Sequence, residues 1–173
     1  MDTLTAIKQR RCVRKFSGDE PGEEQVRTLL EAAIRAPSAG NLQPWHFYVV
    51  RDRAVREELS AAALSQGHVA QAPVVVVVCA DPDTSGARYG KRGRKLYCIQ
   101  DTAAATQNLL LAATALGLAA CWVGAFDEGR VARIVRAPKG RRPLAMVPVG
   151  YAARPGRGPT PRLPLEQVTT FIG

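Results

Sequence analysis

The chain has 173 residues, 46% of them hydrophobic, and 24 Lys plus Arg against 15 Asp plus Glu, a formal net charge of +9. That size suits one domain over 1–173 with a single active site, and no apolar run reaches the roughly 20 residues of a membrane helix. The charge suits nucleic acid or small phosphorylated ligands, but the cations fall in short clusters (10–15, 88–95, 139–142, 154–162) without a basic amphipathic helix or RNA-binding aromatic motif, which disfavours nucleic acid.

The pattern predicts a short helix near 3–10, then an amphipathic helix on Val26, Leu29, Leu30, Ala33 and Ile34, stopped by Pro37. Residues 47–50 read as a strand, 53–65 as a helix carrying Val55, Leu59 and Ala62, and 74–79 as a strand apolar on both faces and therefore central. Gly, Pro and Asp content predicts a functional loop over 81–95. A long helix, apolar nearly all round, runs from Asp101 to about Leu116 with Gly117 as its stop, fit for burial by the sheet on one side and a second subunit on the other. A strand over 119–123, a helix over 128–136 and a strand over 144–151 follow, before a proline-rich tail over 152–164. The predicted class is α+β, a small mixed sheet flanked by helices, without the Gly-rich βα turn of a dinucleotide-binding unit.

Cysteines at 12, 79, 98 and 121 lack Cys-x-x-Cys spacing and only His46 and His68 could assist them, so no metal site is expected. Met1-Asp2-Thr3-Leu4 carries no basic n-region followed by an apolar stretch, so a cytoplasmic protein is expected. Neither histidine has a recognisable nucleophile around it, and no catalytic side chain is assigned.

Chemistry concentrates in four places. Arg10-Arg11-Cys12-Val13-Arg14-Lys15 puts four cations in six positions, and guanidinium forks match phosphate oxygens. Pro37-Ser38-Ala39-Gly40-Asn41-Leu42-Gln43-Pro44-Trp45 offers hydroxyl and amide groups to a polar ligand rim. Gly117-Leu118-Ala119-Ala120-Cys121-Trp122-Val123-Gly124 ends in a turn small enough for close backbone approach. Arg162-Leu163-Pro164-Leu165-Glu166 closes the set.

Together these segments resemble the FMN-dependent nitroreductase family over nearly the whole chain. The resemblance implies an interlocked homodimer with FMN at the subunit interface, reduced by NADH or NADPH, and a ping-pong transfer through flavin N5 to a small planar acceptor such as a nitroaromatic or quinone. It places Arg10 and Arg11 at the phosphate and ribityl chain, with Cys12 where the family usually has Ser, and Arg14 at the flavin N1–O2 edge. It makes Pro37, Ser38, Ala39, Asn41 and Gln43 contacts to the flavin held mainly by the other subunit. Gln66 becomes a further amide contact, and the turn Trp122, Val123, Gly124 and Ala125 aims a backbone N–H at N5. Arg162 returns to the phosphate, with Thr160 where many relatives carry a second basic residue. Arg88, Tyr89, Lys91 and Tyr97 are substrate candidates at the entrance. The alternatives are a flavin-binding sensor or carrier with little turnover, and a specialised relative such as a dehalogenase or flavin-consuming enzyme.

Overall fold

The computed structural model describes residues 1–154 and 160–173. In chain order the elements are α1 (Thr3–Gln9), α2 (Glu23–Ala33), β1 (Trp45–Val50), α3 (Arg53–Ala62), α4 (Gly67–Gln71), β2 (Val74–Ala80), α5 (Pro82–Arg92), α6 (Cys98–Ala115), β3 (Ala119–Ala120), α7 (Glu128–Ile134) and β4 (Arg142–Gly150). Four helices start on an aspartate whose carboxylate accepts a first-turn N–H: Asp2 from Thr5, Asp52 from Val55, Asp81 from Asp83 and Thr84, and Asp127 from Arg130.

The strands are ordered β1-β2-β4-β3. Every pairing is antiparallel, whereas a mixed sheet was expected; the helical connections between neighbouring strands return the chain in the opposite direction. β2 is buried at all seven positions, and its alternation divides the core. Val74, Val76 and Val78 pack with Ala145, Val147 and Val149 of β4 beneath α2 and α6. Val75, Val77 and Cys79 face Leu59, Val69, Val131 and Met146 beneath α3, α4 and α7. Burying a Val or Leu side chain contributes roughly 1.5–3 kcal/mol, so helices on both faces of this strand are a thermodynamic requirement.

Three boundaries differ from the sequence reading. Segment 81–95 is helical: Asp81 caps α5, Pro82 occupies its first turn, and a π-helical turn, Gly93–Tyr97, carries the chain into α6. The glycines that suggested a loop serve close approach and a kink, since Gly90 has φ +54° and Gly93 lies against the Ser85 carbonyl. The short α4 was not anticipated; the buried Arg56 guanidinium donates to its C-terminal carbonyls, Ala70 O at 2.7 Å and Ala72 O. β3 is limited to two residues, with Val123 rejoining β4 through an isolated bridge to Met146.

A Cβ on residue 93 would meet the Ser85 backbone, its carbonyl carbon at 2.6 Å, so main chain has to move. Gly93→Ala is expected to destabilise the protein by about 1–3 kcal/mol, measured by urea denaturation. Gly18→Ala is the comparison: its Cβ meets open space but its φ is +95°, so its loss is confined to backbone strain.

Candidate functional site

The cationic run is held straight by the sheet. Val13 N donates to Ala120 O at 3.0 Å, Ser17 N to Tyr151 O at 2.9 Å, and Ala153 N to Lys15 O at 3.0 Å. Side chains therefore alternate. Arg11 and Val13 line a cavity of about 460 Å³ together with Lys8 and Leu118. Cys12, on the other face, lies beside the Trp122 backbone, the Cys121 thiol and Arg10, which together lower its pKa. Arg14 lies near both Cys121 and His68.

The turn after β3 and the stretch before α4 complete this first group. Val123 spends its N–H and carbonyl on Met146, at 2.8 and 2.9 Å, and is buried. Gly124 and Ala125 are exposed beyond it, and Gln66 Nε2 donates to Ala125 O at 3.1 Å. Burial, then the Arg14 charge, push the His68 imidazole down from its ordinary pKa, favouring the neutral ring. Its Nε2 is buried without a hydrogen-bond partner.

A second group forms around the small-residue loop. Residues 39–41 make a single 3₁₀ turn, with φ +58° at Gly40, +56° at Asn41 and +51° at Gln43, conformations that cost a non-glycine residue energy. Ser38 Oγ accepts from Gln43 N at 3.0 Å, and Ala39 N donates to Asp101 Oδ1 at 3.1 Å. Pro37, Gly40, Asn41 and Gln43 are exposed.

Helix α5 lies on this loop: a Cβ at Gly40 would meet Tyr89 Oη at 2.6 Å and Arg88 Nη1 at 2.8 Å. Arg88 stacks on Tyr89 at 5.5 Å and Arg92 on Tyr97 at 5.3 Å, and the two tyrosines meet edge-on at 5.2 Å. The structure thus brings Arg88, Tyr89 and Tyr97 beside the loop, with Lys91 exposed on the same helix. Arg162 is exposed and donates to its neighbours Thr160 O and Pro161 O, both at 3.0 Å. Among the described residues its guanidinium is not joined to Arg10 or Arg11.

Asp101, Arg92, His68 and Cys121 are residues near the site that the sequence reading did not assign to it. The sequence offers Asp101 only as the start of the long helix, and the signal it carries is an acid inside an otherwise apolar helix. Asp101 is 7% exposed, and its Oδ2 is buried with no partner. Burial pushes its carboxyl above the ordinary range, against the Ala39 N–H, which pulls it down.

A sequence profile described as the Nitroreductase family matches residues 7–70 and 61–151. The chain is 37% identical over 198 residues to an NADH dehydrogenase of Thermus thermophilus, covering 99% of this chain and 96% of that protein. It superposes on a nitroreductase family protein from Streptococcus pneumoniae with a TM-score of 0.90, at 26% identity, covering 99% of this chain and all of the other. An NADPH:FMN oxidoreductase from Vibrio harveyi complexed with NAD+ gives a TM-score of 0.88 at 26% identity, covering 98% of this chain and 76% of that one. The chain belongs to the nitroreductase family. It is an oxidoreductase with that family's α+β fold, and among the described residues no helix is long and apolar enough to cross a membrane.

Asp101→Ala removes the acceptor that holds Ala39 and is expected to cost about 1–3 kcal/mol, with faster amide exchange over 39–43. Because the fold raises the Asp101 pKa, it favours the protonated form. The stability so gained is present below the ordinary carboxylate value and is lost as pH rises through the raised one. Asp101→Asn keeps an acceptor and removes the charge, so its stability is expected to vary less with pH across that acidic window, read by denaturation at several pH values.

Proposed function

We propose that this protein binds FMN and uses it to pass a hydride from NADH or NADPH to a small planar acceptor, a nitroaromatic or quinone. The observation that supports this most is the convergence of Arg10, Cys12, Arg14, Gln66, His68 and the exposed Gly124–Ala125 turn on one face. These residues fit the cofactor. Among the described residues neither Arg10 nor Arg14 pairs with a carboxylate, and the orphaned His68 Nε2 lies near Arg14. Bound FMN supplies two-electron hydride chemistry at N5, with donor and acceptor taking turns at one site in a ping-pong cycle.

The chain's own residues bind and tune. Arg10 holds the phosphate end by charge-assisted hydrogen bonds, with Cys12 at the position next to it. Arg14 offers a fixed positive charge where negative charge collects on reduction, so the reduced state is favoured as a carboxylate is favoured beside a cation. The Gly124–Ala125 turn offers backbone N–H groups without side-chain obstruction. Arg11 lies on the opposite face of the run, so the phosphate role is assigned to Arg10 first. Arg162 is kept as a phosphate ligand that reaches the site with its tail.

The second group belongs to a site completed by another copy. Pro37, Ser38, Ala39, Asn41 and Gln43, held by Asp101, meet the flavin of the partner, and Arg88, Tyr89, Lys91 and Tyr97 border the approach of donor and acceptor. A homodimer also accounts for apolar side chains left in solvent, Leu4 at 68%, Phe171 at 89% and Ile172 at 95% exposure. Trp122 and Val123 then act by placing the turn. No side chain is assigned as general acid or base.

The test is an anaerobic absorbance titration of protein loaded with FMN. A bound-flavin spectrum that bleaches with NADH or NADPH is expected; bound flavin that stays oxidised with both donors points to a binding protein without turnover, and absence of binding overturns the reading. Arg10→Ala is expected to weaken FMN binding about 10- to 100-fold, the loss of one hydrogen-bonded charge, measured by fluorescence quenching. Arg14→Gln is expected to lower the flavin's reduction potential and slow its reduction about tenfold, with binding changed less, read by stopped-flow absorbance.

A further inference from the structure

Two thiols meet at the base of the first group. Cys12 lies on the extended run after α1 and Cys121 directly after β3, and the hydrogen bond from Val13 N to Ala120 O, 3.0 Å, sets the two side by side. Their side chains lie close enough for each to shift the other's ionisation, and Cys121 Sγ donates to Trp122 O at 3.7 Å. Cys12 is exposed while Cys121 is 1% exposed, so one sulfur faces solvent and the other sits beneath it. Arg10 flanks the first and Arg14 the second.

We propose that Cys12 and Cys121 form a peroxide-sensitive pair in which Cys12 is oxidised first and Cys121 resolves it to a reversible disulfide. The Cys12 thiolate attacks one oxygen of hydrogen peroxide, the O–O bond breaks, and Cys12 sulfenic acid and hydroxide result. The Cys121 sulfur then displaces the sulfenic oxygen, which leaves with a proton as water. In sum two thiols and one peroxide give one disulfide and two waters, and a dithiol reductant reverses the bond by exchange.

The electrostatics favour this order. Burial pushes the Cys12 thiol up, but the Trp122 backbone, the Cys121 thiol and Arg10 outweigh it, so its pKa falls below the ordinary thiol value. Cys121 is pushed up to about 12 by burial first and then by the Cys12 charge, with Arg14 opposing. Once Cys12 is a neutral sulfenic acid its negative charge no longer holds Cys121 up, while Arg14 still stabilises the thiolate. Cys79, buried and pushed up to about 12, and Cys98, whose thiol donates to Arg94 O at 3.1 Å, have no such partner among the described residues.

The effect on cofactor loading rests on the flavin reading above; the thiol chemistry does not. The full-length protein, with and without saturating FMN, is treated with hydrogen peroxide, alkylated, digested and mapped by mass spectrometry. A linked Cys12–Cys121 peptide that disappears with dithiothreitol, with Cys79 and Cys98 still free, is expected. Cys121→Ser is expected to lose that peptide and leave Cys12 to run on to sulfinic acid, and Cys12→Ser, altered at the surface, is expected to lose it as well. Cys12 sulfinic acid without a linked peptide in the natural chain, or Cys12 still fully alkylated after peroxide, overturns the proposal. Slower linking with FMN bound supports Cys12 lying against the flavin. Linking at an unchanged rate with FMN bound supports the thiol pair and overturns that placement instead.

Discussion

Burial of β2 along its whole length on both faces is the constraint from which the rest of the architecture follows. A strand of Val-Val-Val-Val-Val-Cys-Ala has no face fit for water, so it needs a strand on each edge and helices above and below. The period of two then sorts the core into two clusters, one under α2 and α6, the other under α3, α4 and α7. Side chains that carry chemistry are left to the sheet's rim: the cationic run along β3 and the end of β4, the turn after β3, and the loop entering β1.

Those rim elements do not close a site within one chain. The cation group is tied together through Ala120, Trp122 and Gln66, and the loop group through Asp101, Arg88 and Tyr89. Each is rigid in its own right. The positive φ angles at Asn41 and Gln43 persist because Ser38 Oγ, Asp101 and α5 each fix part of the loop. A polar loop fixed at this many points, yet exposed, suits the proposed contact with a second copy's flavin.

Much of this was legible in the sequence. The central strand, the amphipathic α2 and the long apolar α6 announce themselves by periodicity, and the cationic run at 10–15 and the polar loop at 37–45 by composition. What escaped depends on tertiary contact. Gly86, Gly90 and Gly93 read locally as loop, but one admits a kink and another lets a backbone approach α5, so the same residues sit within a helical segment. α4 is five residues long and is held by Arg56 from another helix, a bond that no window of local sequence contains. Alternation also separates Arg11 from Arg10 and Arg14, which adjacency in sequence alone conceals. Residues 155–159 of the expected proline-rich tail lie outside the described residues.

The ion pairs account for only part of the positive charge. Arg27, Arg51, Arg53, Arg94 and Arg142 each sit against a glutamate or aspartate, mostly in exposed pairs that contribute little to stability. Among the described residues, Arg10, Arg11, Arg14 and Lys15 have no such partner, and neither do Arg88 and Lys91. Part of the uncompensated charge therefore lies on the cationic run and on α5, the elements bordering the proposed site, while Arg35, Arg130, Arg133, Arg136 and Lys139 carry more of it elsewhere. Cations at the rim attract small phosphorylated molecules there, an effect that weakens with salt. The same attraction acts on the thiol at Cys12: Arg10, which would hold an anionic ligand in the proposed site, also favours the thiolate, so in that proposal ligand affinity and oxidation chemistry are linked.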